Sequence, residues 1–235
     1  MMRLDKYLSL VTKYSRSELK KIIRSGRISV NGSNVNTPEF KVNEETDEIV
    51  LDGETLGYKK NVYYMLNKPA GLLTATMDKK KETVLDLFPP ELKKRLFPVG
   101  RLDLDTEGLL ILTDDGAFGH RMESPKHNVK KVYLAEATGE LVGNYREMIE
   151  GGIEFQDFTA KPAEIEILKA EGNEYTVKLT ISEGKFHQVK RMLHAVGIDV
   201  TYLKRVRIGT LDLDESLAPG EFRELTASDL EKLDQ

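Results

Sequence analysis

The stretch Gly100-Arg101-Leu102-Asp103-Leu104-Asp105-Thr106-Glu107-Gly108-Leu109-Leu110-Ile111-Leu112-Thr113 sets a loop of three carboxylates and one arginine against an unbroken apolar run. A short apolar run bounded by turn residues is the pattern of a strand buried on both faces. Residues 61–66 and 131–138 read as further strands, the first followed by the turn Asn67-Lys68-Pro69-Ala70-Gly71. Residues 163–169 and 174–181 alternate around Glu171-Gly172-Asn173, a hairpin signature. Helices are predicted over 140–150 and 186–196. A last one is predicted from Thr226, where Asp229 three residues on completes a capping-box pattern. Hairpins outnumber strand–helix–strand units, so the predicted fold class is α+β, a mainly antiparallel sheet carrying helices.

The chain upstream of this sheet has a different character. Residues 1–32 carry a net charge of +6 and residues 33–56 a net charge of −6, a segregation hidden in the overall −4. Ser15-Arg16-Ser17-Glu18 is a capping box, with Leu19, Ile22 and Ile23 following at helical spacing and Gly26 at the C-terminal cap. Residues 3–10 read as a shorter helix before it. Arg16, Lys20 and Arg24 recur every four residues and so share one stripe, apart from the apolar face. Arg27-Ile28-Ser29-Val30 entering Asn31-Gly32 is a strand running into a tight turn. The polar, glycine-containing residues 57–61 read as a linker, which divides the chain into a small module over 1–58 and a larger domain over 59–235.

Composition removes several function classes. The 235 residues are 40% hydrophobic and 31% charged, enough for a real core. There is no cysteine, which excludes disulfides, a thiolate nucleophile and cysteine-ligated metal, and accords with a reducing cytoplasm. No apolar run reaches membrane-spanning length, and the charged N-terminus is not a signal peptide. Phosphate-loop, dinucleotide and serine-hydrolase motifs are absent from the sequence. Asp103, Asp105, Glu107 and Gly108 fit the first positions of a calcium loop, but Ile111 and Asp114 do not fit the later ones. The bland alternative is a solvated turn with an Arg–Asp pair. Wound as a helix from Phe186, residues 186–196 gather Val189, Met192, Leu193 and Val196 on one face. His187, Lys190, Arg191 and His194 fall on the other, suited to a carboxylate or phosphates, although many surface helices look the same. The two histidines are too far apart for a shared zinc, and no metal site is expected.

Three of these segments together resemble a known family. Residues 100–110, Lys131-Val132-Tyr133-Leu134, and Glu183-Gly184-Lys185-Phe186-His187-Gln188-Val189-Lys190-Arg191-Met192 resemble the successive motifs of bacterial pseudouridine synthases. Leu203-Lys204-Arg205-Val206-Arg207-Ile208-Gly209 and residues 218–226 extend the match. Residues 3–8 through 27–32 resemble the S4-type RNA-binding domain. His187 to Met192, with Ser124-Pro125-Lys126-His127, is similar to the small-subunit branch, which acts on 16S rRNA. Relatives acting on 23S rRNA share the architecture, and an S4-like module alone would suit a non-catalytic rRNA-binding or assembly factor.

The resemblance implies isomerisation of a uridine in RNA to pseudouridine, without a cofactor. Asp103 is then the essential carboxylate, as nucleophile or as base, with Lys190 its cationic partner and Arg191 the second choice. Adjacent helix positions diverge by about 100°, so one of the two faces Asp103. Tyr133 would stack on the uracil and deprotonate C5. Arg101 would fill the space that the extruded base leaves or grip a phosphate, Leu203 would pack on the base, and Lys68 is carried over among the substrate contacts without a role. Arg3, Lys6, Arg16, Lys20, Lys21, Arg24 and Arg27 would bind RNA phosphates. The implied partner is ribosomal RNA, 16S within a small-subunit precursor, bound by a cytoplasmic monomer.

Overall fold

The computed structural model describes residues 1–44, 46–57, 61–124 and 126–233. These form two compact units: Met1–Val62 with Phe88–Leu96, and Tyr63–Leu87 with Phe97–Gln235. The boundary expected at 58/59 and most of the expected linker lie outside the described residues, as does Pro125 of the motif at 124–127.

In the N-terminal unit, helices α1 (Leu4–Val11) and α2 (Arg16–Arg24) pack on a small sheet. That sheet comprises β1 (Ile28–Val30), β2 (Ser33–Asn34), β3 (Ile49–Leu51) and β4 (Glu54–Leu56), in the order β2-β1-β3-β4. The predicted capping box is present. The Glu18 amide donates to Ser15 Oγ at 3.4 Å, and the Ser15 amide donates to Glu18 Oε2 at 2.7 Å. Asn31 and Gly32 both take positive φ, 50° and 76°, which the tight turn between β1 and β2 requires. Leu4, Leu8, Leu19, Ile23, Ile28 and Ile49 are fully buried between the layers.

The second unit is built on one sheet. Its strands, in chain order, are β5 (Tyr63–Lys68), β6 (Phe97–Val99), β7 (Glu107–Thr113), β8 (Lys131–Gly139), β9 (Glu164–Glu171), β10 (Glu174–Ile181), β11 (Ile198–Ile208) and β12 (Phe222–Glu224). The sheet runs β9-β10-β8-β11-β7-β5-β12, with β6 paired to β7. Its ladders are antiparallel except β11 on β7, which run parallel through Lys204–Glu107 and Arg205–Gly108. The apolar run of the opening stretch is buried as expected, with Leu109 to Leu112 fully enclosed.

Helices α3 (Gly116–Glu123), α4 (Tyr145–Gly151), α5 (Gln188–Ala195) and α6 (Ala227–Leu233) complete the unit. Three predicted boundaries move. The helix expected over 140–150 begins only at Tyr145, because Glu140 and Val142 donate their amides to Gly197 and Val196 carbonyls instead. The helix expected from Phe186 begins at Gln188, because His187 sits at φ 50°, a left-handed conformation that no helix continues through. Asn67 and Lys68 stay in β5, so the turn starts at Pro69.

Candidate active site

The loop between β6 and β7 is held from below by one lysine. Lys68 is fully buried, and its ammonium donates to the carbonyls of Pro69, Asp103, Leu104 and Thr106 at 3.0, 3.1, 3.3 and 2.9 Å. Burial pushes this ammonium down to about 8, against the upward pull of Asp105, Glu107 and Asp103. Thr74 grips the same loop, donating to the Leu102 carbonyl at 2.8 Å and accepting the Leu102 amide at 3.2 Å. Gly71 donates its amide to the Leu104 carbonyl at 2.8 Å. Lys68 therefore fixes the loop from inside and does not line the cleft, a correction to its grouping with substrate contacts.

Above the loop is a small cleft of about 60 Å³, open to solvent. It is lined by Arg101, Asp103, Tyr133, His187, Lys190 and Leu203, among others. The Asp103 carboxylate accepts no hydrogen bond among the described residues. Its two oxygens lie 3.6 Å from His187 Nε2 and 3.7 Å from Lys190 Nζ. Lys190 hydrogen-bonds instead to both oxygens of Asp105, at 2.6 and 2.8 Å. That bond holds the Asp105 carboxyl below the usual carboxylate range, against the desolvation that would raise it.

The other carboxylate of the calcium-like spacing also points elsewhere. Glu107 accepts from the Tyr202 hydroxyl at 2.8 Å, and burial together with this bond pushes the Tyr202 phenol up to about 12. Asp103 and Asp105 face Lys190 while Glu107 serves Tyr202, and the loop leads into a strand rather than the exiting helix of a calcium hand.

Helix α5 divides the two candidate partners as its geometry requires. Lys190 faces Asp103, whereas Arg191 turns away, binding Asp157 through two nitrogens at 2.9 and 2.5 Å. Its guanidinium lies 4.5 and 4.6 Å from the rings of Phe155 and Phe158. Arg191 pins the hairpin Ile153–Glu154 and Thr159–Ala160 to the helix, so of the two candidate partners of Asp103 it is Lys190 that stands beside it.

Two buried polar residues that support the cleft's side chains and turn were not singled out from sequence. Arg205, directly opposite Tyr133 across β8 and β11, is 2% exposed; it donates to the Leu109 carbonyl at 2.8 Å and to the Tyr133 hydroxyl at 3.5 Å. The period-two pattern of β11 carried the signal, since Arg205 follows Leu203 on the same buried face. Gln188 is buried and donates to Glu183 at 2.8 Å, while its carbonyl oxygen accepts the Lys185 amide at 2.9 Å. The same Glu183 oxygen accepts the Lys161 amide at 2.8 Å, so the turn before α5 is locked at both ends.

The basic residues of the N-terminal unit divide similarly. Arg16, Lys20, Lys21 and Arg24 on α2, and Lys6 on α1, are exposed and make no ion pair within 4 Å among the described residues. Arg3 is committed to Asp5 and Glu39, and Arg27 to Asp52, so these two are less available to phosphates than the sequence suggested.

A family model for RNA pseudouridylate synthase matches residues 62–195, and one for the S4 domain matches residues 2–49. An uncharacterized RNA pseudouridine synthase of Bacillus subtilis is 41% identical over 100% of this chain and 99% of its own length. The ribosomal small subunit pseudouridine synthase A of Haemophilus influenzae is 42% identical, covering 99% of both chains. Its Escherichia coli namesake is 40% identical over 97% of this chain and 98% of its own. A crystal structure of a pseudouridylate synthase superposes with a TM-score of 0.69 at 41% identity, over 99% of this chain and 100% of the other. With the loop, tyrosine and helix motifs converging on one cleft, and relatives matched from end to end, the chain belongs to the RNA pseudouridylate synthases, isomerases that convert uridine in RNA to pseudouridine.

Proposed function

We propose that the chain modifies a uridine of small-subunit (16S) ribosomal RNA, acting as a cytoplasmic monomer, with Asp103 as its essential carboxylate. The observation that carries the reading is the Asp103 carboxylate itself. It sits at the cleft without an accepted hydrogen bond among the described residues, on a loop fixed by Lys68 and Thr74, beside two nitrogens at 3.6 and 3.7 Å. Either role of the acid at the sugar carbon uses the carboxylate, and the Lys190 ammonium is the cation that stands beside it. The N1–C1′ bond breaks, the uracil turns, and C5 joins C1′. The exchange is atom-neutral: C5 gives up its proton, for which the Tyr133 hydroxyl in the same cleft is the base, and the freed N1 takes up a proton. Leu203 packs on the pyrimidine, and Arg101 at the exposed rim meets the backbone or the vacated stack. Extruding the uridine costs a few kcal/mol, which the cleft contacts offset.

The choice of rRNA is supported by the small-subunit names of the relatives from Haemophilus and Escherichia, matched over nearly the whole chain. The choice of RNA as partner is supported by the S4 match and the exposed stripe on α2. No helix among the described residues is long and apolar enough to cross a membrane.

The test is tritium release from 16S and 23S transcripts, and from small-subunit precursors, labelled at uridine C5. Release from 16S substrates alone is expected, and release from 23S alone would move the substrate. Asp103→Asn should abolish release while RNA binding survives; continued turnover would remove Asp103 from its role. RNA binding by the wild-type chain without release would mark it as a binding or assembly factor.

A further inference from the structure

Phe186 is the most exposed phenylalanine among the described residues, at 73%, and its chain neighbours Lys185 and His187 both line the cleft. Its ring lies face to face on the His187 imidazole, with centroids 3.8 Å apart and planes 18° apart. The same imidazole reaches Asp103 at 3.6 Å. Carboxylate, imidazole and phenyl ring therefore form a continuous series from the cleft to solvent.

The series is built rather than incidental. His187 holds a left-handed backbone conformation at φ 50°, which is uncommon outside glycine and concentrates where function fixes geometry. The turn carrying both rings is locked by Gln188, which bonds Glu183 on one side and the Lys185 amide on the other. An aromatic ring held out in water on a rigid turn presents a free π-face. Lys185 and Arg101 line the adjoining cleft, so the ring stands among cations rather than in an apolar patch. Protein docking favours contiguous apolar area, whereas one aromatic face among cations is the arrangement that takes an unpaired base with its phosphate.

We propose that Phe186, backed by His187, is a stacking platform for the unpaired nucleobase next to the target uridine. The inference rests on the reading of the chain as an RNA-modifying enzyme and extends it to the shape of the substrate. The target must have an unstacked neighbour, as in a loop, a bulge or a strand opened by the enzyme. Stacking on the platform holds that neighbour out of the helix and helps to keep the uridine extruded.

The chain contains no tryptophan, so Phe186→Trp introduces a single fluorophore at the platform. With small-subunit rRNA transcript, the indole emission of this variant should be strongly quenched on binding. Phe186→Leu keeps apolar bulk but loses the π-face. It should raise KM for the transcript by about 5- to 150-fold, the range for losing one stacked base, with a smaller change in kcat. Unquenched emission in a complex known to be bound, or a wild-type KM for Phe186→Leu, would overturn the proposal. Absence of tritium release from the wild-type chain would instead strike the functional reading, because the quenching is scored on binding alone.

Discussion

Lys68 is the residue on which the precision of the site depends, although its ammonium never reaches the cleft. Its four carbonyl acceptors include those of Asp103, Leu104 and Thr106, so it sets the height and tilt of the catalytic loop. Holding it charged in the interior is unfavourable; a displacement from 10.5 to about 8 corresponds to a cost on the order of 3 kcal/mol. Lys68→Met removes that cost and strands the Pro69 and Thr106 carbonyls, at about 1–3 kcal/mol each, while those of Asp103 and Leu104 keep the Thr106 and Gly71 amides. Global stability should therefore change little while the loop loses its template, and single-turnover rates should fall by roughly two orders of magnitude, as misplacement of a reacting group by about 1 Å would give. The pH dependence has a definite sign. Between about 8 and 10.5 the unfolded chain binds more protons than the folded one, so stability rises with pH across that window. Urea midpoints at pH 8 and 10 should show a smaller rise in Lys68→Met; an unchanged rise would mean that the lysine is not displaced. Sequence reading carried Lys68 over by resemblance but gave it no role, because its acceptors are carbonyls, which no side-chain pattern reveals. Asp103, Tyr133 and Leu203 were legible as cleft residues because their motifs name side chains. The pairing of Arg191 was not legible because Asp157, Phe155 and Phe158 reach it only through the fold.

At the scale of elements, the close crossing of β7 and β11 builds the site. Gly108 takes φ +100°, and a Cβ there would stand 2.2 Å from the Arg205 carbonyl oxygen and 2.9 Å from its amide nitrogen. The strands run parallel only here, and the crossing sets the Asp103 loop beside the strand that carries Leu203 and Arg205. Gly108→Ala meets both backbone overlap and an unfavourable φ, and neither can be relieved by moving a flexible side chain. It should destabilise the chain by about 3 kcal/mol or more, read as a lowered denaturant midpoint, with activity lost even where the fold persists. An alanine variant of wild-type stability would show that the strands can separate without cost. The strands themselves were legible in the apolar run and the alternating hairpin, since burial on one or both faces writes itself into residue periodicity. The parallel crossing was not, because glycine in a motif announces a need for space without saying which backbone fills it. The start of α5 was missed for a related reason. The helical pattern runs on through Phe186, but the Glu183–Gln188 bond imposes a left-handed residue at His187.

Across the whole molecule, the charge segregation located a basic module, yet the division of the chain is not linear. Residues Phe88–Leu96 group with the N-terminal unit, where Lys94 donates to the Tyr14 carbonyl at 3.4 Å. A composition shift along the sequence reveals one boundary and cannot reveal a segment that returns. Truncation at residue 58 would strip that segment of its surroundings, so the RNA-binding role of the module is better tested on its surface. Arg16, Lys20 and Arg24 are exposed, on a stripe beside the buried Leu19 and Ile23, and replacing all three by Gln should leave the thermal midpoint nearly unchanged. Each phosphate contact contributes about 0.7–0.9 to the slope of log affinity against log salt, so the triple variant should flatten that slope by about 2. Arg3→Gln and Arg27→Gln, already paired with carboxylates, should leave it close to wild type. Salt titrations of rRNA binding separate these cases. An unaltered slope in the triple variant would mean that the stripe on α2 does not touch RNA, and that affinity resides in the cleft-bearing unit.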